Sequence, residues 1–106
     1  MAPGERYEEL CDELLASPGV SIGRALSNEG LMVGGKLFAF QRRDNFVVKL
    51  PVDRVAEVVG SGDGVVAVMG TRVMKQWVEL PPSADWSSYA NESCAFVRAL
   101  TAGGAS

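Results

Sequence analysis

The residues of this chain that are best suited to bind a ligand lie around one glycine turn. Gly70 is followed by two cations, Arg72 and Lys75, and then by Trp77 at the start of an apolar run. The backbone amides at Gly70 and the two cations could hold a phosphate or a carboxylate, with Trp77 as a stacking platform. The alternative is that Met74 and Trp77 cap the core while both cations stay solvated. The stretch lacks the spacing of a phosphate-binding P-loop, so it indicates no particular nucleotide.

A second group of cations falls on a predicted β-meander and consists of Lys36, Arg42, Arg43 and Lys49. On a solvent-facing ribbon, such cations could follow a phosphate backbone. The alternative is that they protect an edge of the sheet from pairing with other chains. The acidic pI of about 4.9 favours this alternative.

The composition argues against several chemistries. The 106 residues include no histidine, which removes Ser-His-Asp and Cys-His catalysis and the usual zinc sites with imidazole. Two cysteines are too few for a zinc site made of thiolates alone. The carboxylates of Asp44, Asp53 and Asp63 fall in turns and at a helix start, and they do not suggest a catalytic pair. We therefore predict no catalytic residue, no metal site and no cofactor.

The net charge of −3 is unevenly distributed along the chain. The first predicted helix is acidic, with five carboxylates against Arg6, and these carboxylates are Glu5, Glu8, Glu9, Asp12 and Glu13. The middle, residues 22–76, has eight cations against five acids, and the last segment is acidic again. Complementary solvated surfaces explain this pattern, and a binding face is the alternative.

Three segments show helical periodicity, and each has an apolar stripe expected to face the core. The stripe of Glu5–Ala16 contains Tyr7, Leu10, Cys11, Leu14 and Leu15. The stripe of Pro51–Val59 contains Val52, Val55, Ala56 and Val59. The stripe of Trp86–Thr101 contains Trp86, Ala90, Cys94, Val97 and Leu100, and either Asp85 or Ser87 is expected as the N-cap.

Apolar runs between turn signals predict an antiparallel meander of three strands. Leu31–Val33 and Lys36–Arg42 flank a Gly34-Gly35 pair that suits a tight hairpin, and Phe46–Leu50 follows. In the second of these strands Phe38 and Phe40 are expected on one face, as are Phe46, Val48 and Leu50 in the third.

Two further strands, Val65–Met69 and Trp77–Leu80, are predicted on either side of a loop at 70–76. Val20–Leu26 is a connection or a short strand, and Ser27–Gly30 is a turn. The predicted fold class is α+β, with helices at the N-terminus, in the middle and at the C-terminus, packed on one face of an antiparallel sheet.

The chain is expected to form a single domain over residues 1–106, with flexible ends at about 1–4 and 102–106. It contains neither a secretory signal nor an apolar run of the roughly 20 residues that a membrane helix needs, so a cytoplasmic location without a membrane partner is expected. Cys11 and Cys94 are expected to be buried thiols. The alternatives for them are a clip between the terminal helices or a redox sensor.

Three blocks carry a resemblance to a known family: the hairpin Gly30–Ala39, the strand Phe46–Leu50 running into a helix, and the stretch Gly70–Val78 with its Met74-Lys75 pair. Their order and spacing resemble the N-terminal domain of the TfoX (Sxy) competence regulators, which is similar in fold to YjbR-type proteins. The similarity runs from Glu5 to Leu100. Where many relatives have a phenylalanine-glycine-glycine turn after an arginine, Arg24 is followed here by Ala25 and Leu26, and the C-terminal domain of full-length TfoX has no counterpart.

The resemblance implies a link to the transcriptional control of DNA uptake. Together with the residues, it leads us to interpret the chain as a non-catalytic regulatory or interaction module with an unidentified protein partner, and a homodimer is one version of this interpretation. The alternative is a weak nucleic-acid-binding domain that uses the basic meander and the turn with Arg72 and Lys75. A small enzyme or ligand binder ranks third.

Overall fold

The six strands within the described part of the chain form one antiparallel sheet. The computed structural model describes residues 3–25 and 28–103. The helices are α1 (Pro3–Leu15), α2 (Val52–Ser61) and α3 (Trp86–Gly103). The strands are β1 (Val20–Ala25), β2 (Asn28–Val33), β3 (Lys36–Arg42), β4 (Asn45–Lys49), β5 (Val65–Met69) and β6 (Arg72–Leu80). Their order in the sheet is β1-β2-β3-β4-β6-β5. The predicted α+β class and the positions of the three helices are confirmed.

The meander has four strands rather than the predicted three. Val20–Ala25 forms β1, and residues 28–30, predicted as part of a turn, begin β2 and pair with the end of β1. Asn, Glu and Gly are poor strand formers, so the local sequence indicated a turn. In the folded protein, pairing with β1 outweighs this local preference. Leu26 and Ser27, which were part of these predictions, lie outside the described residues.

Glycines with positive φ form two of the tight turns. Gly34 and Gly35 have φ of +59° and +80° and connect β2 to β3, as the predicted hairpin requires. Gly70, with φ of +64°, is the first residue of a two-residue turn between β5 and β6. The predicted loop at 70–76 was wrong, because β6 begins at Arg72 and only Gly70 and Thr71 form the turn.

The three helices cover one face of the sheet and enclose the main core. Trp86 of α3 stacks on Phe46 of β4 with ring centroids 5.2 Å apart, and its Nε1 donates to the Pro81 carbonyl at 2.9 Å. The sheet side of this core includes Leu31, Phe38, Phe46, Val48, Leu50, Val78 and Leu80. The prediction that Phe46, Val48 and Leu50 share one face is confirmed.

Each helix buries less of its apolar stripe than the periodicity predicted. Leu15 of α1 and Leu100 of α3 are exposed near the ends of their helices. In α2 the core takes Val55 and Val58, whereas the predicted inward residues Val52, Ala56 and Val59 are exposed. The buried stripe of each helix is therefore narrower than the predicted apolar stripe, and α2 keeps apolar side chains on its exposed surface.

Cys11 and Cys94 are free and buried, as expected, and burial raises the pKa of both thiols. Asp85 is the N-cap of α3, because its Oδ1 accepts a hydrogen bond from the Ser88 amide at 3.1 Å. The ends expected to be flexible lie partly outside the described residues, but residues 3–4 belong to α1 and 102–103 to α3.

Candidate functional site

The face of the sheet opposite the helices, here called the outer face, carries a second apolar cluster. The expectation that Phe38 and Phe40 share a face was wrong, since Phe38 lies in the main core and Phe40 in this second cluster. Leu31 pairs with Ala39 but Met32 pairs with Leu37, so Phe38 is an extra residue that changes the alternation of β3. The outer cluster consists of Phe40, Val47 and Ala67, with Leu37, Met69, Met74 and Trp77 packed against it.

The tip of the β5–β6 hairpin covers the outer cluster. Val66 pairs with Val78 but Ala67 pairs with Met74, which gives β6 three extra residues at 75–77, and such an irregularity bends a strand. Arg42 Nη1 on β3 donates to the Val68 carbonyl on β5 at 2.7 Å. In the sheet order, β5 is the third strand from β3. In a flat sheet the two strands would therefore lie about 14 Å apart. The hairpin tip must therefore fold over the outer face, where Arg42 holds it.

A cleft of about 340 Å³ opens between this hairpin tip and the β3–β4 turn. Arg42, besides its bond to β5, lies 3.6 Å from a carboxylate oxygen of Glu79, and Asn45 donates to the other oxygen. Arg72, which is exposed, is the cross-strand neighbour of the lining residue Met69. We call this site the arginine cleft, and its lining residues are Phe40, Gln41, Arg42, Arg43, Met69 and Gly70.

Arg43 occupies an unusual backbone conformation in the β3–β4 turn. Its φ of +57° lies in the left-handed region, which is costly for a residue with a Cβ atom, by about 1–2 kcal/mol. A glycine or an asparagine would fit this position with less strain. The arginine side chain is exposed at the cleft, so the strained position presents a cation to solvent there.

Trp77 packs within the outer face rather than standing free as a platform. Its ring lies 5.7 Å from that of Phe40, centroid to centroid, and the Lys49 Nζ lies 5.8 Å from the Trp77 ring centroid. With Met74, Trp77 helps to bury the outer cluster, as the alternative interpretation of this stretch proposed. Base stacking on Trp77 would compete with these contacts.

The structure thus divides the seven predicted site residues into groups. Arg42 and Arg43 line the arginine cleft, Arg72 pairs across the hairpin with the lining residue Met69, and Lys49 accompanies Trp77. Lys75 is exposed in the irregular part of β6, and Lys36 is exposed at the other end of β3, about 20 Å from Arg42 along the strand. Sequence reasoning missed Met69 and Phe40 as lining residues, because it did not anticipate the bend of the hairpin.

The alternative that the cations of the meander protect an edge of the sheet was wrong, because these cations do not lie on edge strands. Lys36, Arg42 and Lys49 lie on β3 and β4, which are interior strands, whereas the edges of the sheet are β1 and β5. Arg42 nevertheless reaches an edge strand from the interior, because it binds the Val68 carbonyl of β5.

Within residues 3–25 and 28–103 no group of three or more cysteine, aspartate or glutamate side chains is arranged to hold a metal ion. None of the helices in those ranges is both long enough and apolar enough to span a bilayer. No protein-family model matches the chain, and neither a curated protein nor a solved structure matches it. The resemblance to the TfoX N-terminal domain therefore stays a prediction from the sequence.

Proposed function

We propose that this protein is a non-catalytic interaction module that docks an acidic segment of a partner protein in the arginine cleft. The observation that carries the proposal is the folded hairpin tip, which brings Arg72 to the side of the molecule where Arg42 and Arg43 lie. Guanidinium groups bind carboxylates through paired, charge-assisted hydrogen bonds. A regulatory role, as in the family that the sequence resembles, would act through such docking.

The composition of the cleft supports a peptide as the ligand. Phe40 and Met69 give it an apolar lining, and Arg42 and Arg43 give it a cationic rim. Glu79, which lies beside Arg42, already accepts a hydrogen bond from Asn45. An apolar floor with a few charged groups at the rim is the usual arrangement of a recognition site for a short peptide segment.

A phosphate backbone is the second candidate for the same arginines, because the guanidinium fork also fits phosphate. One observation ranks it lower. Trp77, the expected stacking platform, is engaged by Phe40 and Lys49.

Fluorescence anisotropy can test the proposal with a labelled glutamate-rich peptide and a labelled single-stranded DNA of equal charge. Arg43→Glu is the test variant, and Lys36→Glu is its matched control, because both residues are exposed and flank opposite ends of β3. We expect Arg43→Glu to weaken peptide binding about tenfold, which corresponds to about 1.4 kcal/mol. Lys36→Glu should leave the affinity nearly unchanged.

Two results would count against the proposal. Equal losses in the two variants would mean that net charge, and not the arginine cleft, attracts the peptide. Tighter binding of DNA than of the peptide, with a steep loss of affinity as salt is raised, would promote the nucleic-acid candidate instead.

A further inference from the structure

The sulfur of Met69 lies against the guanidinium group that holds the hairpin tip. Arg42 Nη1 donates to the Val68 carbonyl at 2.7 Å and to Met69 Sδ at 3.5 Å. A carboxylate oxygen of Glu79 lies 3.6 Å from the same nitrogen. A guanidinium Nη atom carries two hydrogens, so three acceptors surround two N–H groups. The thioether is the weakest acceptor of the three, which leaves the Val68 carbonyl as the closest partner of Arg42.

Met69 can be reached from solvent through the arginine cleft, because it is half-buried and lines that cleft. The chain has four methionines, of which Met1 lies outside the described residues. Met32 places its Sδ against Gly23, in the space that a Cβ atom would fill there, and this contact shields the sulfur on one side. Met74 packs on the outer cluster but is not among the described residues that line the cleft. A small oxidant therefore has its most open approach to Met69.

We propose that Met69 is a site of reversible oxidation by peroxides and that its sulfoxide releases the hairpin tip from Arg42. In this reaction the sulfur lone pair attacks one oxygen of hydrogen peroxide, an S–O bond forms and the O–O bond breaks. The departing hydroxide takes the proton from the transferred oxygen and leaves as water. Sulfur loses two electrons and the peroxide gains them. Methionine sulfoxide reductases return the product to methionine, so the change is reversible.

The sulfoxide weakens both contacts that hold the hairpin tip. Its oxygen is a stronger hydrogen-bond acceptor than a thioether sulfur, and it forms next to Arg42 Nη1. There it competes with the Val68 carbonyl for the same N–H groups. Met69 also packs against the outer cluster, whose apolar side chains offer no partner to a polar oxygen. The hydrogen bond from Arg42 and the apolar packing are therefore lost together.

Oxidation of Met69 would regulate docking in the arginine cleft, and this consequence rests on the proposed function. Met69 and Gly70 form the hairpin side of the cleft, whereas Arg42 and Arg43 lie on the side of the β3–β4 turn. In the oxidised protein the sulfoxide oxygen competes with peptide carboxylates for Arg42 and makes an apolar wall polar. Fluorescence anisotropy should therefore show weaker binding of the glutamate-rich peptide after oxidation and recovery after reduction.

Brief treatment with dilute hydrogen peroxide, followed by mass spectrometry and amide hydrogen exchange, tests the proposal. Trypsin cleavage after Arg72 separates Met69 from Met74, and the Met69 peptide should gain one oxygen before the peptides of Met74 and Met32 do. Exchange at residues 67–74 should then become about tenfold faster, the effect expected when a hydrogen bond from a charged group is lost. Reduction with a methionine sulfoxide reductase should restore the original rates.

Met69→Leu is the test variant, and Met32→Leu and Met74→Leu are its matched controls, because leucine keeps the apolar volume and removes the sulfur. Peroxide should leave exchange at residues 67–74 unchanged in Met69→Leu and should accelerate it in both controls. Met69→Gln places a polar amide near the position of the sulfur. It should show the faster exchange without any peroxide.

Three results would overturn the proposal. They are oxidation of Met74 or Met32 ahead of Met69, faster exchange after peroxide that persists in Met69→Leu, and unchanged exchange in wild-type protein whose Met69 is fully oxidised. Failure of the docking function would look different, because the reduced protein would then not bind the peptide. In that case the mass and exchange measurements would still decide whether oxidation of Met69 releases the hairpin tip.

Discussion

The helix-covered face and the outer face of the sheet differ in what covers them. Three helices lie over the first, where Trp86 stacks on Phe46 and the fully buried Ser93 hydroxyl donates to the Phe38 carbonyl. A two-stranded hairpin tip lies over the second, and it is tied to β3 by packing on Phe40 and by a hydrogen bond from Arg42. The first face therefore supplies most of the stability. The second depends on few contacts, as is usual for binding surfaces.

The sharpest test of this difference compares two tryptophans. Trp86→Ala should lower the free energy of unfolding by about 3–5 kcal/mol, because it removes a fully buried ring from the main core. Trp77→Ala should cost only about 1–2 kcal/mol, because Trp77 is partly exposed in the outer cluster. Urea unfolding followed by circular dichroism gives both values. Equal losses would show that the outer face stabilises the protein as much as the main core does.

The hydrogen bond from Arg42 is expected to hold the hairpin tip locally. Arg42→Met should lower stability by about 1–2 kcal/mol, because it removes a charge-assisted hydrogen bond. Amide hydrogen exchange should become faster at residues 67–74. In α3 and β4 it should become faster only by the amount that the lower free energy of global unfolding causes. Arg43→Met is the control, since no hydrogen bond from Arg43 to the hairpin is seen among the described residues. If the exchange pattern of Arg42→Met matched that of Arg43→Met, the Arg42 side chain would not be what holds the hairpin tip.

A pH effect is expected from the helix-covered face. Burial, followed by the neighbouring Cys11, raises the pKa of Tyr7 well above its usual range. The folded state therefore holds this proton more tightly, and the free energy of unfolding should fall as pH rises above about 10, the ordinary tyrosine value. Tyr7→Phe should weaken this fall in urea titrations from pH 8 upward.

At neutral pH the same variant should raise stability by up to about 1 kcal/mol, because among the described residues the buried Tyr7 hydroxyl has no better partner than the weakly polar Cys11 thiol beside it. A loss of stability in Tyr7→Phe at neutral pH would mean that the hydroxyl has a partner in the folded protein.

The smallest effect is expected at the β3–β4 turn. Arg43→Gly should raise stability by up to about 1 kcal/mol, because glycine adopts a φ of +57° without strain. The same variant should weaken binding of the acidic peptide, since it removes a cation from the arginine cleft. Asp44→Gly is the control, because Asp44 has no positive φ to relieve. Thermal melting and anisotropy would measure the two effects, and a variant with higher stability and unchanged affinity would remove Arg43 from the site.

Local patterns predicted the elements that depend on neighbours in the sequence. The stripe of α1 from Tyr7 to Leu14, the alternation of Phe46, Val48 and Leu50, and the Gly34-Gly35 turn were all recognised. Each of these rests on a period or on a backbone angle that a short window contains.

The features that the sequence did not reveal depend on contacts between distant strands. The extra residue Phe38 in β3 and the extra residues 75–77 in β6 are set by pairing with other strands. The second of these irregularities folds the hairpin and brings Arg72 toward the region of Arg42. The seven candidate residues were chosen by residue type alone. Which of them lie at the cleft depends on the pairing of distant strands, so the sequence could not predict it.

A ¹H–¹⁵N correlation spectrum of the labelled protein, recorded during titration with the glutamate-rich peptide at low salt, shows residue by residue whether the peptide docks in the arginine cleft. We expect shift changes at Arg43, Gly70, Thr71 and Arg72, and unchanged resonances along α1 and at Lys36. Changes that spread over all basic residues, or that centre on α2, would contradict the assignment of partner docking to the arginine cleft.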